Sequence, residues 1–212
     1  MKKKINSILK EVLEKVTPSK DELNKIKEDL DRFLKEFKKR NNLNVEVFVG
    51  GSLAKNTLIK KDVYDADIFV RFDKKYKDSE ISGLTNKILK KFTKSTIVHG
   101  SRDYFKVKLN PIFYLEIIPV IKVKNPKNAR NITDLSYSHV KDINQRLKSK
   151  KILDEIRLAK AFCYANNCYG AESYIKGFSG YSLELLVYHY GSFLKFIKEI
   201  VKNKDKVIID IE

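Results

Sequence analysis

The sequence predicts an α+β protein in which a mixed sheet flanked by helices is followed by a helical second domain. Apolar residues recur at three- and four-residue spacing up to about residue 40, which is the period of amphipathic helices. Alternating and continuous apolar stretches between residues 45 and 120 are typical of strands. Helical spacing returns after Asn125-Pro126 and continues for most of the remaining chain. We therefore predict two domains, at residues 1–126 and 127–212.

Two helices are predicted to open the chain. Ile5 to Val16 has the pattern of a short amphipathic helix, and Thr17-Pro18 supplies an N-cap and a first-position proline for the next helix. That second helix is predicted to end near Asn41-Asn42. Its apolar face is predicted to consist of Leu23, Ile26, Leu30, Phe33, Leu34 and Phe37.

Strands then alternate with two further predicted helices. Val45 to Val49 is predicted as the first strand, Gly50-Gly51-Ser52 ends it, and a short helix follows over Leu53 to Ile59. A second strand over Ala66 to Phe72 leads into a helix around Ile81 to Phe92. The remaining strands are predicted over Ser95–His99, Tyr104–Leu109 and Phe113–Val120, and the later helices over Tyr137–Leu147, Ile152–Asn166 and Tyr181–Lys202.

The chain is strongly basic, with 44 Lys plus Arg against 27 Asp plus Glu and a formal net charge of +17. From Val120 to Lys151 the charged residues are mostly lysine and arginine. Such a local surplus favours a polyanionic partner, most simply nucleic acid, because its phosphates exchange counterions for lysines. A basic surface that serves only solubility is the alternative.

Several classes of protein are disfavoured by the sequence. No apolar run approaches the roughly 18 residues of a membrane-spanning helix. The first residues lack the small-residue cleavage site of a secretory signal. Cys163 and Cys168 are too few for a disulfide framework and lack a second Cys/His pair for zinc. Two reduced thiols are typical of the cytoplasm, which is the predicted location.

Three acidic residues form the candidate catalytic and metal site. Asp65 and Asp67 lie two residues apart at the start of a strand, so their side chains point to the same face. Neighbouring carboxylates repel each other unless a cation neutralises them, which favours Mg²⁺ or Mn²⁺. Glu116 lies in an otherwise apolar strand, where a carboxylate needs a partner or a metal. The alternatives are a chance Asp-x-Asp at a solvent-facing strand end and a Glu116 that pairs with a lysine.

A glycine turn upstream of these residues is a candidate phosphate site. Gly50-Gly51-Ser52 lies between a strand and a predicted short helix. Glycines there let backbone N–H groups approach a phosphate, the helix N-terminus adds favourable potential, and Ser52 adds a hydroxyl donor. Alone, the motif would indicate only a turn. Together with the acidic residues it predicts a triphosphate site beside a group of carboxylates.

These motifs resemble those of a known superfamily. Gly51 to Leu58 followed by Asp65 to Val70 resembles the GS…DxD signature of the polymerase-β-like nucleotidyltransferases. More narrowly, the chain is similar to the archaeal (class I) CCA-adding enzymes, the tRNA nucleotidyltransferases. The similarity continues through Asp154–Phe162, Tyr169–Glu172 and Gly177–Leu186, and it covers nearly the whole chain.

The resemblance implies a role for each matching position. Asp65, Asp67 and Glu116 are expected to hold two Mg²⁺ ions, with Mn²⁺ as an alternative, for in-line nucleotide transfer with release of pyrophosphate. The residues expected to bind the nucleotide are Gly51, Ser52, Lys55, His139, Lys160 and Tyr169. Taken without the resemblance, the last three would be a surface histidine, an exposed lysine and a core aromatic.

The sequence departs from the family pattern in three respects. The family usually has Glu-x-Asp with an Asp on the later strand, whereas here Asp65-x-Asp67 is combined with Glu116. Lys55 stands where the family has an arginine, which keeps the charge but loses bidentate geometry. Family members also continue into body and tail domains that grip tRNA. We therefore expect a truncated protein, one half of a split enzyme, or a reduced enzyme that docks tRNA through residues 120–151.

The predicted function is template-independent addition of CMP and AMP, from CTP and ATP, to the 3′ end of tRNA. Alternative products are oligoadenylate, a cyclic dinucleotide, or a nucleotide placed on another RNA or on a protein. The alternative outside the enzymes is a non-catalytic RNA-binding subunit. It is disfavoured because Asp65, Asp67 and Glu116 are all acidic, as a metal site requires. A second subunit that supplies the body and tail domains, or self-association through an exposed apolar seam, is also expected.

Overall fold

The computed structural model describes residues 2–203, 205 and 207–211. The chain divides into two compact units, which we call the sheet unit and the helical unit. The sheet unit comprises Ser19–Ala54 and Lys61–Val140, and the helical unit comprises Met1–Pro18, Lys55–Lys60 and Lys141–Glu212. The units thus interleave along the sequence, whereas the two predicted domains, 1–126 and 127–212, are divided at a single point of the chain. That division stays a prediction.

The sheet unit contains a five-stranded mixed sheet of order β1-β2-β5-β4-β3. Strands β2 (Tyr64–Phe72) and β5 (Phe113–Ile121) are parallel neighbours. β1 (Glu46–Val49) pairs antiparallel with β2. β4 (Tyr104–Asn110) is antiparallel both to β5 and to β3 (Thr96–Val98). All five strands lie where the apolar patterns predicted them, within one or two residues at each end.

The two parallel strands share one pattern of burial. Along the first half of each strand, half-buried residues alternate with buried ones, and along the second half every residue is buried. The half-buried positions are Asp65 and Asp67 in β2, and Tyr114 and Glu116 in β5. Because alternate residues of a strand point to one face, these four side chains share one accessible part of the sheet.

Helix α2 (Lys20–Arg40) supplies the face that was predicted for it, with Ile26, Leu30, Phe33 and Phe37 buried. Its N-cap is Ser19, whose side chain accepts from the Glu22 N–H at 3.2 Å while the Glu22 carboxylate accepts from the Ser19 N–H at 2.8 Å. The prediction of Thr17 as the cap was wrong. Thr17 instead closes the preceding helix by donating its N–H to the Leu13 carbonyl at 3.0 Å.

The helix predicted over Leu53 to Ile59 is shorter and starts earlier. α3 covers Gly51–Ala54, and Asn56 follows with a left-handed φ of 54°, which ends helical geometry. Four residues align few peptide dipoles, so α3 supplies little of the N-terminal potential that was expected to attract phosphate. The longer helix α4 (Asp78–Leu89) packs against β5.

After β5 the sheet unit continues with two short 3-10 helices, Pro126–Asn128 and Ile132–Leu135, and the start of α5 (Ser136–Arg146). Arg102 and Asp134 are buried beside this segment and form an ion pair. Asp134 also accepts from the backbone N–H groups of Ile121 at 2.8 Å and Arg130 at 3.0 Å. This carboxylate therefore ties the connection after the sheet to the end of β5.

The helical unit contains α1 (Lys2–Val16), α6 (Lys150–Ala165), α7 (Gly180–Tyr190) and α8 (Phe193–Lys202). α6 packs against α1, α7 and α8. The core that these helices share is apolar, and its buried members include Ile143, Ile156, Ala159, Leu183, Val187 and Phe196. None of the helices described in the structure is long and apolar enough to cross a membrane.

The single helix predicted over Tyr181–Lys202 is in fact two helices. Gly191 has a φ of +77°, a left-handed conformation that ends α7, and its N–H donates to carbonyls of the last turn. Ser192 then caps α8 through the Lys195 N–H. The glycine and serine are ordinary helix-stop and helix-start residues, but the continuous apolar spacing across them concealed the break.

Candidate active site

The strand register brings the predicted acidic residues together. Asp67 in β2 and Glu116 in β5 are register partners in the parallel pair. Asp65 lies two residues before Asp67 on the same face. Since neighbouring strands are about 4.8 Å apart, the three carboxylates occupy one patch at the start of β2 and β5, which we call the acidic patch.

Lysines contact two members of the acidic patch. Lys61 Nζ lies 3.1 Å from Asp65 Oδ1, and Lys106 Nζ lies 3.2 Å from Glu116 Oε1. Lys106 is the register partner of Glu116 in β4. Burial lowers the pKa of Lys106, whereas its hydrogen bond to Glu116 and the nearby negative charges raise it. The raising effects are together the larger, so the pKa of Lys106 lies above its ordinary value. The lysine partner considered for Glu116 from the sequence is therefore present.

The acidic patch matches a divalent-cation site in donor chemistry but not in the spacing of its side chains. Carboxylate oxygens are the ligands that Mg²⁺ and Mn²⁺ prefer, and the side chains of Asp65 and Glu116 remain 45% and 27% exposed. Within the described residues, however, no three His, Cys, Asp or Glu side chains are gathered closely enough to hold a metal ion. A cation at the patch would compete with Lys61 and Lys106 for the same oxygens.

The glycine turn packs directly on the acidic patch. Gly50 donates its N–H to the Asp67 carbonyl at 2.8 Å. Gly51 has a φ of +62°, and a Cβ at this position would lie 1.7 Å from Asp67 Oδ2. Glycine at residue 51 therefore favours this left-handed backbone and leaves free the space in which a Cβ would collide with the Asp67 carboxylate. Ser52 follows it in α3.

Gly51→Ala is expected to disrupt the acidic patch and to reduce the nucleotide transfer predicted from the sequence at least about a hundredfold, because displacing a reacting group by about 1 Å is enough for such a loss. The added methyl group would have to displace the Asp67 carboxylate. Gly83→Ala is the matched control, since a Cβ there meets nothing within 4 Å. Initial rates, with circular dichroism to verify folding, would measure both; a fully active Gly51→Ala protein would contradict the assignment.

Lys55 and Lys160 belong to the helical unit, where one buried carboxylate binds both. Glu184 in α7 accepts from Lys55 Nζ at 2.6 Å through Oε2 and from Lys160 Nζ at 2.9 Å through Oε1. The side chain of Lys55 is 8% exposed, that of Lys160 is 2% exposed, and that of Glu184 is fully buried. Lys160 is therefore not the exposed lysine that its sequence context suggested. Glu184 was not predicted as a site residue, because the one signal in the sequence was an acid within an apolar helical stretch.

Thr57 completes this cluster. Its hydroxyl donates to Glu184 Oε1 at 2.9 Å and accepts from Lys160 Nζ at 2.6 Å. Burial raises the pKa of Glu184, but the charges of Lys160 and Lys55 and their hydrogen bonds outweigh it, so the pKa lies below its ordinary value. The carboxyl group is thus ionised at neutral pH.

Tyr169 approaches the same part of the helical unit. Its ring stacks on Tyr164 with the ring centroids 4.1 Å apart. Gly180 is the first residue of α7, and a Cβ on it would lie 2.7 Å from the Tyr169 hydroxyl and 4.0 Å from Lys160 Cε. The absence of a side chain at Gly180 therefore lets the tyrosine hydroxyl and Lys160 reach the start of α7.

The residues predicted to bind nucleotide are divided between the two units. Gly51, Ser52 and the half-buried His139 of α5 belong to the sheet unit. Lys55, Lys160 and Tyr169 belong to the helical unit, where the structure brings them to one cluster around Glu184 and the start of α7.

Two family models match the chain. Residues 3–139 match the Second Messenger Oligonucleotide or Dinucleotide Synthetase domain. Residues 154–212 match the second domain of tRNA nucleotidyltransferase.

Archaeal proteins named CCA-adding enzyme are similar along nearly the whole chain. The Nanoarchaeum equitans protein is 40% identical over 94% of this chain and 49% of its own length. The proteins from Methanocaldococcus jannaschii and Archaeoglobus fulgidus are 35% and 33% identical over 92% and 98% of this chain, and over 45% and 46% of their own lengths. The chain spans about half the length of the curated relatives it matches.

Solved structures share the fold. A crystal structure of the Cid1 poly(U) polymerase with MgGTP bound has a TM-score of 0.68 at 17% identity, covering 90% of this chain and 56% of that one. A cytoplasmic RNA terminal U-transferase has a TM-score of 0.64 at 16% identity, covering 89% and 53%. These likenesses concern the fold, and they confirm the α+β fold predicted from the sequence. Because the first of the two family models covers more than half of the chain, the chain belongs to the Second Messenger Oligonucleotide or Dinucleotide Synthetase domain family, and it is similar along nearly its whole length to the archaeal proteins named CCA-adding enzyme.

Proposed function

We propose that this chain transfers CMP and AMP, without a template, from CTP and ATP to the 3′ end of tRNA and releases pyrophosphate. The observation that carries the proposal is the acidic patch, in which Asp67 and Glu116 are register partners and the glycine turn packs on Asp67. The relatives named CCA-adding enzyme support the choice of tRNA, CTP and ATP as substrates.

Asp65, Asp67 and Glu116 are the residues that would hold the divalent metal. Nucleotidyltransferases of this family generally use divalent metal ions. For this chain the proposal includes two Mg²⁺ ions, with Mn²⁺ as the alternative. Bound metal would supply neutralisation of the triphosphate charge and a lower pKa for the attacking hydroxyl group.

The chain's own residues would bind and orient the reactants. The RNA 3′-hydroxyl oxygen forms a bond to the α-phosphorus, in line with the P–O bond to the β-phosphate. That P–O bond breaks, pyrophosphate departs with its electron pair, and the hydroxyl proton passes to solvent. Gly51 and Ser52 would offer backbone N–H and hydroxyl donors to the triphosphate beside Asp67. The remaining donors, Lys55, His139, Lys160 and Tyr169, would stabilise negative charge on the departing pyrophosphate.

The direct test uses a tRNA transcript that lacks its last three nucleotides, with labelled CTP alone, ATP alone, and then both. Two C additions followed by one A, resolved at single-nucleotide resolution, would support the proposal. Addition of C only, or runs of one nucleotide, would replace it with a less specific 3′-end transferase. Absence of transfer in a protein that still binds nucleotide would contradict it for this chain alone and favour one half of a split enzyme.

A second candidate is synthesis of an oligonucleotide or dinucleotide from free nucleotides. It is favoured by the match of residues 3–139 to the Second Messenger Oligonucleotide or Dinucleotide Synthetase domain. Incubation with ATP, GTP, CTP and UTP in the absence of RNA, followed by chromatography, separates the two. Products formed without RNA would favour this candidate, and a strict requirement for an RNA 3′ end would exclude it. Labelling of a protein or of another RNA would identify the remaining alternatives.

An open cleft of about 540 Å³ lies in the sheet unit at the carboxyl ends of β2 and β5. We call it the basic cleft; it is lined by Asp73, Lys74, Ile121, Lys122, Val123, Lys124, Asn128 and Arg130. Arg130 is oriented by donating to the carbonyl oxygens of Tyr76 at 2.9 Å and Lys74 at 3.0 Å. The cleft lies roughly 16 Å along the strands from the Asp67–Glu116 pair, at about 3.3 Å per residue. We assign to it the RNA phosphates that residues 120–151 were predicted to bind.

Reversing two charges of the basic cleft, in a Lys74→Glu/Lys124→Glu protein, is expected to weaken tRNA binding about tenfold. The slope of log affinity against log salt concentration should fall by the amount that corresponds to about two lost phosphate contacts. Both lysines are exposed, so folding should be unaffected. Lys35→Glu/Lys39→Glu in α2 makes the same change in charge on exposed residues outside the cleft. Equal losses in the two proteins, measured across a salt series, would show a non-specific charge effect.

Location and assembly complete the proposal. The proposed location is the cytoplasm, where the protein would take part in tRNA maturation. A second subunit or another copy of this chain as partner stays a prediction, and sedimentation of the purified protein tests it, with a strictly monomeric profile counting against self-association.

A further inference from the structure

Glu184 has no part in the proposed reaction, yet it bonds to two residues that do. Its carboxylate is fully buried in α7 and accepts from both Lys55 and Lys160. An ionised carboxylate is costly to bury unless cations and hydrogen bonds compensate it, and here two lysines and Thr57 do so. The same two lysines are those proposed above to bind the phosphates of the nucleotide. A carboxylate between them is therefore an anion in the place where an anionic ligand is expected.

The two lysines are held differently. Lys160 Nζ donates to Glu184 Oε1 at 2.9 Å, to the Thr57 hydroxyl at 2.6 Å and to the Thr57 carbonyl at 3.4 Å. Lys55 Nζ donates to Glu184 Oε2 at 2.6 Å, from a slightly more exposed side chain. Lys160 is thus fixed to the backbone as well as to α7, whereas the bond that fixes Lys55 is to a side chain.

We propose that Glu184 is an internal counter-anion, which binds Lys55 in the nucleotide-free protein and competes for that lysine with the phosphates of a bound triphosphate or pyrophosphate. The inference rests on the proposed function, because it takes Lys55 and Lys160 as phosphate ligands. When phosphate binds, Lys55 Nζ exchanges one anionic oxygen for another, while Lys160 and Thr57 keep Glu184 in place. When pyrophosphate departs, the carboxylate takes Lys55 back.

This competition has two physical consequences. Without the carboxylate, two buried ammonium groups would repel each other, so Glu184 stabilises the protein while the site holds no nucleotide. The same carboxylate repels a polyphosphate at short range, which weakens its binding. Because release of product limits the rate of many enzymes, weaker binding of pyrophosphate would speed turnover. Glu184 is therefore a positioning residue that acts through Lys55.

Glu184→Gln separates this role from a purely structural one by the sign of its effect. The probe is inorganic tripolyphosphate, measured by calorimetry without metal or RNA. Removing the negative charge is expected to tighten binding about tenfold or more, since a unit charge at hydrogen-bonding range outweighs the lost positioning. Without ligand, the Glu184→Gln protein should unfold at a lower temperature than the wild-type protein. Saturating tripolyphosphate should raise the unfolding temperature of Glu184→Gln by more than it raises that of the wild-type protein. A purely structural role predicts weaker binding, because the lysines would be misplaced.

Three further variants keep the test decisive. Glu184→Asp retains the buried charge but shortens the side chain, so binding should tighten by only about threefold; it serves if Glu184→Gln does not fold. Lys55→Met should weaken tripolyphosphate binding at least about tenfold. Its loss of binding shows which part of the calorimetric signal comes from tripolyphosphate bound at this site. Glu155→Gln removes one acid from the same unit without touching the cluster, and binding should change less than about twofold.

The outcomes distinguish this inference from the proposed function. If Lys55→Met weakens tripolyphosphate binding but both Glu184 variants bind it no more tightly than the wild-type protein, the counter-anion role is wrong and the phosphate role of Lys55 stands. If Lys55→Met binds tripolyphosphate as tightly as the wild-type protein does, Lys55 is not a phosphate ligand, and that part of the proposed function fails with the inference.

Discussion

Asp67→Asn is expected to reduce nucleotide transfer by about a thousandfold or more while leaving the protein folded. Asp67 is the register partner of Glu116 and the residue on which the glycine turn packs. The substitution keeps the size of the side chain and removes the charge that would hold a divalent cation, so the loss should fall on the chemical step. Initial rates with the shortened tRNA transcript would measure it, and Asp65→Asn should show a loss of the same kind.

The matched control for this prediction is Asp62→Asn. Asp62 is an exposed acid in the loop that precedes β2, so its substitution changes the net charge equally beside the same strand. We expect its rate to stay within about twofold of the wild-type rate, because an exposed charge contributes little at a distance. Retained transfer in both Asp65→Ala and Asp67→Ala would show that the acidic patch is not the catalytic site.

The acidic patch could be predicted in part from the sequence. The two-residue period of a strand is local, so it placed Asp65 and Asp67 on one face correctly. The pairing of Asp67 with Glu116 depends on β5 lying parallel to β2, although β3 and β4 come between them in the chain. Strand order of that kind follows from packing over long sequence separations, which local patterns do not contain.

The buried cluster around Glu184 was beyond the reach of sequence patterns. Its members come from the segment at residues 55–60, from α6 and from α7, and they meet because that segment belongs to the helical unit. Apolar periodicity identifies a buried face but does not mark the one acid on it that will be paired. The family resemblance pointed to Lys55 and Lys160, whereas only the structure revealed the carboxylate that they share.

Asp134 is the position where we expect the largest loss of stability. Its fully buried carboxylate forms an ion pair with Arg102, whose side chain is 4% exposed. It also accepts from the N–H groups of Ile121, Arg130 and Asn131 at 2.8, 3.0 and 3.1 Å. Removing one partner of a buried pair leaves the other charge poorly compensated, and here three backbone donors would lose their acceptor as well.

Asp134→Ala is therefore expected to lower the free energy of unfolding by about 3–5 kcal/mol, measured by urea denaturation. Asp103→Ala is the control: it removes a half-buried acid that pairs with the exposed His99, and it should cost less than about 1 kcal/mol. Arg102→Met/Asp134→Leu should recover part of the loss, because neither charge of the pair then remains buried. Since Asp134 also holds the Arg130 backbone, Asp134→Ala should weaken tRNA binding at the basic cleft even at temperatures where it is folded. A loss of stability below about 1 kcal/mol would contradict the assignment.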